Sequence, residues 1–387
     1  MRILFLTNLY PPHNVGGYEQ LCMDVVNGLE GKGHDCFVLT STFGAGNSCT
    51  EGNVYRLLGL EADIYKHKSF TIKQRNDIRK NNEVILLKII SAVKPHLIFI
   101  WNMEALSKSL LLLAEDSGTT LYFLSDPWII NKYKISKHNL IKWAQDFRNI
   151  FRRPKLQNVI CSCKYLKDEL VRNGVPVENG LVIYNSIDLE PYLSAKRDDP
   201  VDRTRILYVG QLGEHKGVHT LLEAFSRLVT ERWDKPITLS LVGSGNQAYM
   251  ERLYKIVSDA GIDGVVDFVG KVPRESLVDF FSTHSVFVFP SIWEEPFSLT
   301  LIMALASGIP IISTLTGGSK EILDPGVNCL SFQAGNAADL AEKMAQLIVN
   351  LELRNALGEQ GRTDSRKYSL LTMTDKINTL LSELQVK

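Results

Sequence analysis

The 387-residue chain is 45% hydrophobic, 22% charged and 9% aromatic, the composition of a globular protein with length enough for two domains. Its 43 basic and 43 acidic residues cancel, which excludes the basic excess of a dedicated nucleic-acid binder. No apolar run reaches the length of a membrane span, and the six cysteines lack metal-ligand spacing, so a cytosolic, reduced protein is expected.

Ile3–Leu6 reads as a buried first strand rather than a secretory leader, because Asn8, Pro11 and Pro12 end the run too early. A helix is expected from about Glu19 to Leu29. Strands follow at Cys36–Thr40, Leu97–Ile100, Leu121–Leu124, Val159–Cys161 and Val182–Tyr184. Residues 189–204 are polar with two prolines and read as a linker. The alternation then restarts at Ile206–Val209, Thr238–Val242, Val265–Val269, Val286–Phe289 and Ile309–Ile312, with a helix at Ala337–Asn350. Leu370–Leu384 closes the chain with apolar residues at helical spacing. Repeated strand–helix units predict an α/β protein of two doubly wound, Rossmann-like domains, at 1–188 and 189–365. Such domains bind ligands at the carboxyl ends of their strands.

Four loops after strands carry candidate chemistry. Gly16-Gly17 leaves bare amides at a helix start, where a phosphate can sit. Gly243-Ser244-Gly245 with Ala248 matches a dinucleotide fingerprint, which keeps a nicotinamide oxidoreductase as one alternative. Gln211 and Lys216 flank another such loop, and the lysine is a point charge suited to a diphosphate. The segment from Phe289 to Pro310 is apolar yet holds adjacent Glu294 and Glu295 just before a helix starting near Ser298. Its free amides suit a phosphate and its carboxylate suits sugar hydroxyls. Against this stands ordinary helix capping by Ser298.

Taken in order, these pieces resemble the retaining glycosyltransferases of family 4, the glycosyl transferases group 1. The resemblance runs through Gly16-Gly17, Asn185-Ser186-Ile187-Asp188, Gly210 to Gly217, Gly243-Ser244-Gly245 and Phe268 to Val272. It continues through Pro290-Ser291, Pro296-Phe297, Ala304 to Pro310, and Gly317-Gly318 with Glu321. It implies the GT-B fold, with an acceptor-binding first domain, a second domain that binds the nucleotide sugar, and a helix at 366–387 packing back on the first. It further implies transfer from a nucleoside-diphosphate sugar (UDP-, GDP-, ADP- or dTDP-linked) to an acceptor hydroxyl, with no cofactor and no metal. The expected setting is cell-surface polysaccharide, glycolipid or other glycoconjugate synthesis, at the cytoplasmic face of a membrane.

The same resemblance assigns catalytic roles to Glu295, Lys216 and Asp126. It assigns donor contacts to Gly16, Gly17, Gln211, Gly243, Val272, Glu295, Phe297, Ser298, Leu299, Thr300 and Met303. Four positions depart from the family pattern. Met303 replaces a ribose-gripping glutamate, Gln211 a common arginine, Ser298 a glycine, and Ser125 the histidine usually found before Asp126. A catalytically weak sugar-nucleotide-binding protein is therefore the second alternative, and a deoxyribose donor is one reading of Met303.

Residues 1–188 hold 23 Lys+Arg against 18 Asp+Glu, while 189–387 hold 20 against 25, so the first half suits an anionic surface better. Lys132, Lys134, Lys142, Trp143, Arg148, Arg152 and Arg153 make a basic, aromatic segment. It is read as an acceptor or membrane contact in which Leu140, Trp143 and Phe147 form an interfacial stripe. Packing of that stripe on the domain core is the opposing reading.

Overall fold

The computed structural model describes all residues except 14–15, 62–69, 135–151, 199–201, 231–232 and 387. The chain forms two compact units, Met1–Asn185 with Leu370–Lys387, and Ser186–Ser369.

The first unit begins with β1 (Arg2–Leu6), α1 (Gly17–Glu30), β2 (Asp35–Ser41), β3 (Cys49–Glu51) and β4 (Val54–Leu58). It continues with α2 (Ile72–Val93), β5 (Leu97–Ile100), α3 (Lys108–Ser117), β6 (Thr120–Leu124) and α4 (Ile129–Tyr133). The strands β7 (Val159–Cys161) and β8 (Leu181–Val182) flank α5 (Lys164–Arg172). The sheet order is β3-β4-β2-β1-β5-β6-β7-β8, parallel apart from the antiparallel β3–β4 pair. That hairpin is not legible as strands, because β3 is a three-residue polar edge segment and Arg56 interrupts the short apolar run of β4, so tertiary pairing decides. The central strands are apolar on both faces, as a sheet covered by helices requires: all four residues of β5 and all five of β6 are buried.

The second unit opens with α6 (Glu190–Ser194), β9 (Thr204–Val209), α7 (Val218–Val229), β10 (Ile237–Val242), α8 (Gln247–Asp259) and β11 (Val266–Gly270). Then come α9 (Leu277–Thr283), β12 (Val286–Phe289), α10 (Leu299–Ser307), β13 (Ile311–Ser313), β14 (Cys329–Ser331), α11 (Ala337–Val349) and α12 (Leu351–Ser365). Its sheet, β11-β10-β9-β12-β13-β14, is wholly parallel. The strand order reverses between β9 and β12, the switch point where open α/β sheets hold ligands.

Two expectations need correction. The stretch after residue 188 is not a free linker through its described part: Leu189 and Tyr192 are buried, and Arg197 donates to the carbonyls of Phe281 and His284 at 3.0 and 2.7 Å. The first unit ends at Asn185 rather than 188, because the Ile187 amide donates to the Tyr368 carbonyl at 3.1 Å and residue 187 bridges to Ser369. The last helix, α13 (Leu370–Val386), belongs to the first unit. Met373, Ile377 and Leu381 are buried in its core, with Leu370, Leu380 and Leu384 packed against it.

Candidate functional site

The loops after β9 and β12 are pressed together by backbone geometry. Gly217 has φ +67°, and a Cβ there would collide with the Pro290 carbonyl, so only glycine fits without strain. The Ile292 and Trp293 amides both donate to the His215 carbonyl, at 3.0 and 3.2 Å. This lock carries Lys216 to Glu295: Nζ stands 2.6 Å from Oε2, with the side chains 13% and 16% exposed. Nζ also lies 5.6 Å from the centre of the Trp293 ring, and the His215 ring meets Trp293 edge-on at 5.7 Å. Burial and the neighbouring Lys216 push the His215 pKa down, so its imidazole favours the neutral form.

The adjacent acids separate in role. Glu294 accepts from the Gly317 amide, and the Gly318 amide donates to the Glu295 carbonyl at 2.8 Å. Glu294 thus ties down the glycine loop, while the Glu295 carboxylate is turned to the lysine. Capping of α10 by Ser298 does not occur: the Ser298 side chain caps no amide, and its Oγ pairs instead with Thr300 Oγ1 at 2.9 Å. The first turn of α10 therefore keeps amides without a side-chain cap, the arrangement that attracts an anion.

Gln211 is exposed, and its carbonyl takes the Tyr208 hydroxyl at 2.7 Å. Phe297 is buried and packs edge-on to Tyr368 at 5.8 Å. Leu299 and Thr300 are half-buried and Met303 is buried within α10. Val272 is half-buried just past β11. Gly210, Gly243 and Gly270 prolong the sheet ladder, with Gly210 N donating to Val242 O at 3.0 Å and Gly243 N to Gly270 O at 2.9 Å. A Cβ on Gly243 would strike the Gly210 carbonyl. These glycines serve loop-against-loop packing, and the Gly243 amide is already engaged, which removes the motif's support for a nicotinamide site.

In the first unit, the Gly16 amide donates to Glu19 Oε2 at 2.9 Å in a capping box. The buried Glu19 thus occupies the start of α1 where a phosphate was expected. Gly17 begins the helix and is exposed. Sequence reasoning missed Glu19, although an acid three residues after a cap position is a known signal. Asp126 follows β6 and accepts from the Trp128 amide at 3.0 Å. Burial drives its carboxyl up to about 7, against that hydrogen bond, and Glu104 and Glu19 push the same way. Beside it the Tyr18 hydroxyl donates to the Phe123 carbonyl and accepts from the Ser125 amide. Ser125 Oγ accepts from Asn185 Nδ2 at 2.8 Å, and Asn185 Oδ1 is buried without a partner among the described residues.

The described part of the basic segment is tied into the fold rather than free. Lys132 donates to the Glu104 and Leu106 carbonyls, and Lys134 to Asn173 at 2.8 Å. Arg152 pairs with Asp116 at 2.7 Å, and Arg153 lies 5.1 Å over the Tyr133 ring. Lys142, Trp143 and Arg148, with the expected apolar stripe, lie outside the described residues.

Comparison with known proteins covers both units. Residues 15–191 match the model described as Glycosyltransferase Family 4, and residues 192–364 match Glycosyl transferases group 1. The lipopolysaccharide core biosynthesis glycosyltransferase LpsE of Rhizobium meliloti is 31% identical over 189 residues, covering 49% of this chain and 52% of that protein. The chain thus spans about half the length of the curated relatives it matches. Among solved structures, sucrose-phosphate synthase from Thermosynechococcus elongatus superposes with a TM-score of 0.77 at 18% identity, covering 99% and 98% of the two chains. HepE of Anabaena, in complex with UDP and glucose, gives 0.72 at 17% identity over 98% and 99%.

Proposed function

Because the chain belongs to the family 4, group 1 glycosyltransferases and has their GT-B fold, we propose that it is a retaining hexosyltransferase that uses a nucleoside-diphosphate sugar. The Lys216–Glu295 pair beside the uncapped start of α10 carries this reading. A diphosphate drawn to those amides offers Lys216 a doubly charged partner. The same step releases Glu295, whose carboxylate can then accept from hydroxyls of the sugar.

In the transfer, the bond from the anomeric carbon to the diphosphate oxygen breaks and a bond to the acceptor oxygen forms on the same face. The acceptor proton passes to the departing phosphate oxygen. Positive charge on the anomeric carbon and negative charge on the phosphate both grow in the transition state. Lys216 and the helix start stabilise the second, and Glu295 orients the ring. Asp126 is the residue we assign to the acceptor side. HepE, a structural neighbour, was solved with UDP, and LpsE is named for lipopolysaccharide core synthesis. Both support a nucleotide donor and a glycoconjugate acceptor here.

Incubation with UDP-, GDP-, ADP- and dTDP-linked hexoses, reading nucleoside-diphosphate release and the anomeric configuration of the product, tests the proposal. Turnover with retention supports it. Binding without turnover favours the sugar-nucleotide-binding alternative, and an inverted product overturns the stereochemistry.

A further inference from the structure

Helix α2 has a face that its own packing does not explain. Asn82, Leu86, Ile89 and Val93 are its buried residues. At 3.6 residues per turn, Val84 and Leu87 lie across the helix from them, and each is 49% exposed. Ile72, at the first turn, is 44% exposed. Lys73, Lys80 and Lys88 share the outward side with a single acid, Asp77, and all four are exposed; none of the three lysines has a carboxylate partner among the described residues. The helix holds five basic residues against two acidic ones.

From this juxtaposition we infer that the outward face of α2 docks on an anionic lipid surface. Two aliphatic side chains can enter the headgroup boundary while lysines one turn to either side meet lipid phosphates and keep their stems on apolar surface. A protein partner fits poorly, because protein interfaces are depleted of lysine at their centres and enriched in aromatic anchors, and this face has the reverse. The basic residues described between 132 and 155 are a weaker candidate, since Lys132, Lys134 and Arg152 already have partners in the fold. No described helix is long and apolar enough to cross a membrane, so the contact is reversible and salt-sensitive.

The test is sedimentation of the full chain with vesicles containing phosphatidylglycerol and with pure phosphatidylcholine, at low and high salt. The chain should partition onto the anionic vesicles alone, and less so at high salt. Lys73→Gln/Lys80→Gln/Lys88→Gln should weaken partitioning on the order of 30-fold or more, and Val84→Ser/Leu87→Ser roughly tenfold. Circular dichroism and UDP binding should match the parent in both variants, which keeps the result separate from misfolding and from the donor site. Equal partitioning onto pure phosphatidylcholine, or parental partitioning by both variants, overturns the inference. So does a dimer in solution that Val84→Ser/Leu87→Ser dissociates, since a second copy would then cover the face.

Discussion

Lys216 and Glu295 hold each other at 2.6 Å across two loops, so each of the two groups assigned to the donor is engaged by the other. On the proposed roles, donor binding exchanges this one ion pair for two interactions. Removing the lysine strands a carboxylate where phosphate should sit. Lys216→Ala should cost about 2–5 kcal/mol in UDP affinity, the range for truncating one partner of a buried charged pair. Calorimetry giving parental affinity would contradict the diphosphate role.

Glu295→Gln acts in the opposite sense on binding. It removes the competitor for Lys216, so UDP should bind as tightly as to the parent or up to about tenfold tighter, while turnover falls roughly 100-fold. A loss of UDP affinity equal to that of Lys216→Ala would place Glu295 on the nucleotide instead of the sugar.

Met303 is buried where the family resemblance expects a ribose-binding carboxylate. A thioether gains little from the 2′-hydroxyl, and an apolar pocket discriminates weakly on a single hydroxyl. UDP and dTDP should therefore compete within about threefold of each other. Tenfold tighter binding of UDP would show that other groups grip the ribose.

Asp126 should leave a signature in stability. Its carboxyl, raised to about 7 chiefly by burial, resists ionisation in the folded chain. The folded state is therefore progressively penalised as pH climbs from the ordinary carboxylate range through about 7, and the penalty is constant above that. Asp126→Asn stays neutral throughout. It should melt higher than the parent at pH 8, with the difference vanishing near pH 4. A pH-independent difference in melting temperature would contradict the burial.

Gly217→Ala should destabilise by about 3 kcal/mol or more, read by urea denaturation. It combines a left-handed backbone with a collision against the Pro290 carbonyl. A change below about 1 kcal/mol would mean that the two loops are not locked together.

Sequence alone determined the alternating architecture. Its central strands are continuous apolar runs bounded by glycine and proline, and a parallel sheet buried on both faces demands that pattern. It also supplied the family, because Gly16-Gly17, Lys216, Glu295 and the glycine turns recur in order, and the closing amphipathic helix, whose stripe at Met373 and Ile377 enters the first unit's core. Tertiary structure decided the rest, because the partners are remote in the chain. Lys216 and Glu295 are 79 residues apart, and the packing of Gly217 on Pro290, with the Ile292 and Trp293 amides bonded to the His215 carbonyl, brings them together. The resemblance singles out Glu295 over Glu294, but their partners are set by the backbone, which turns Glu294 to Gly317 and Glu295 to Lys216. The glycines at 243 and 245 looked like a dinucleotide loop, yet close approach of the Gly210 and Leu212 carbonyls is what requires them. The basic run from Lys132 read as an acceptor or membrane contact, but among its described residues Lys132 meets carbonyls and Arg152 a carboxylate of the fold. Composition and periodicity report which surfaces are buried; which polar group meets which is set by long-range packing.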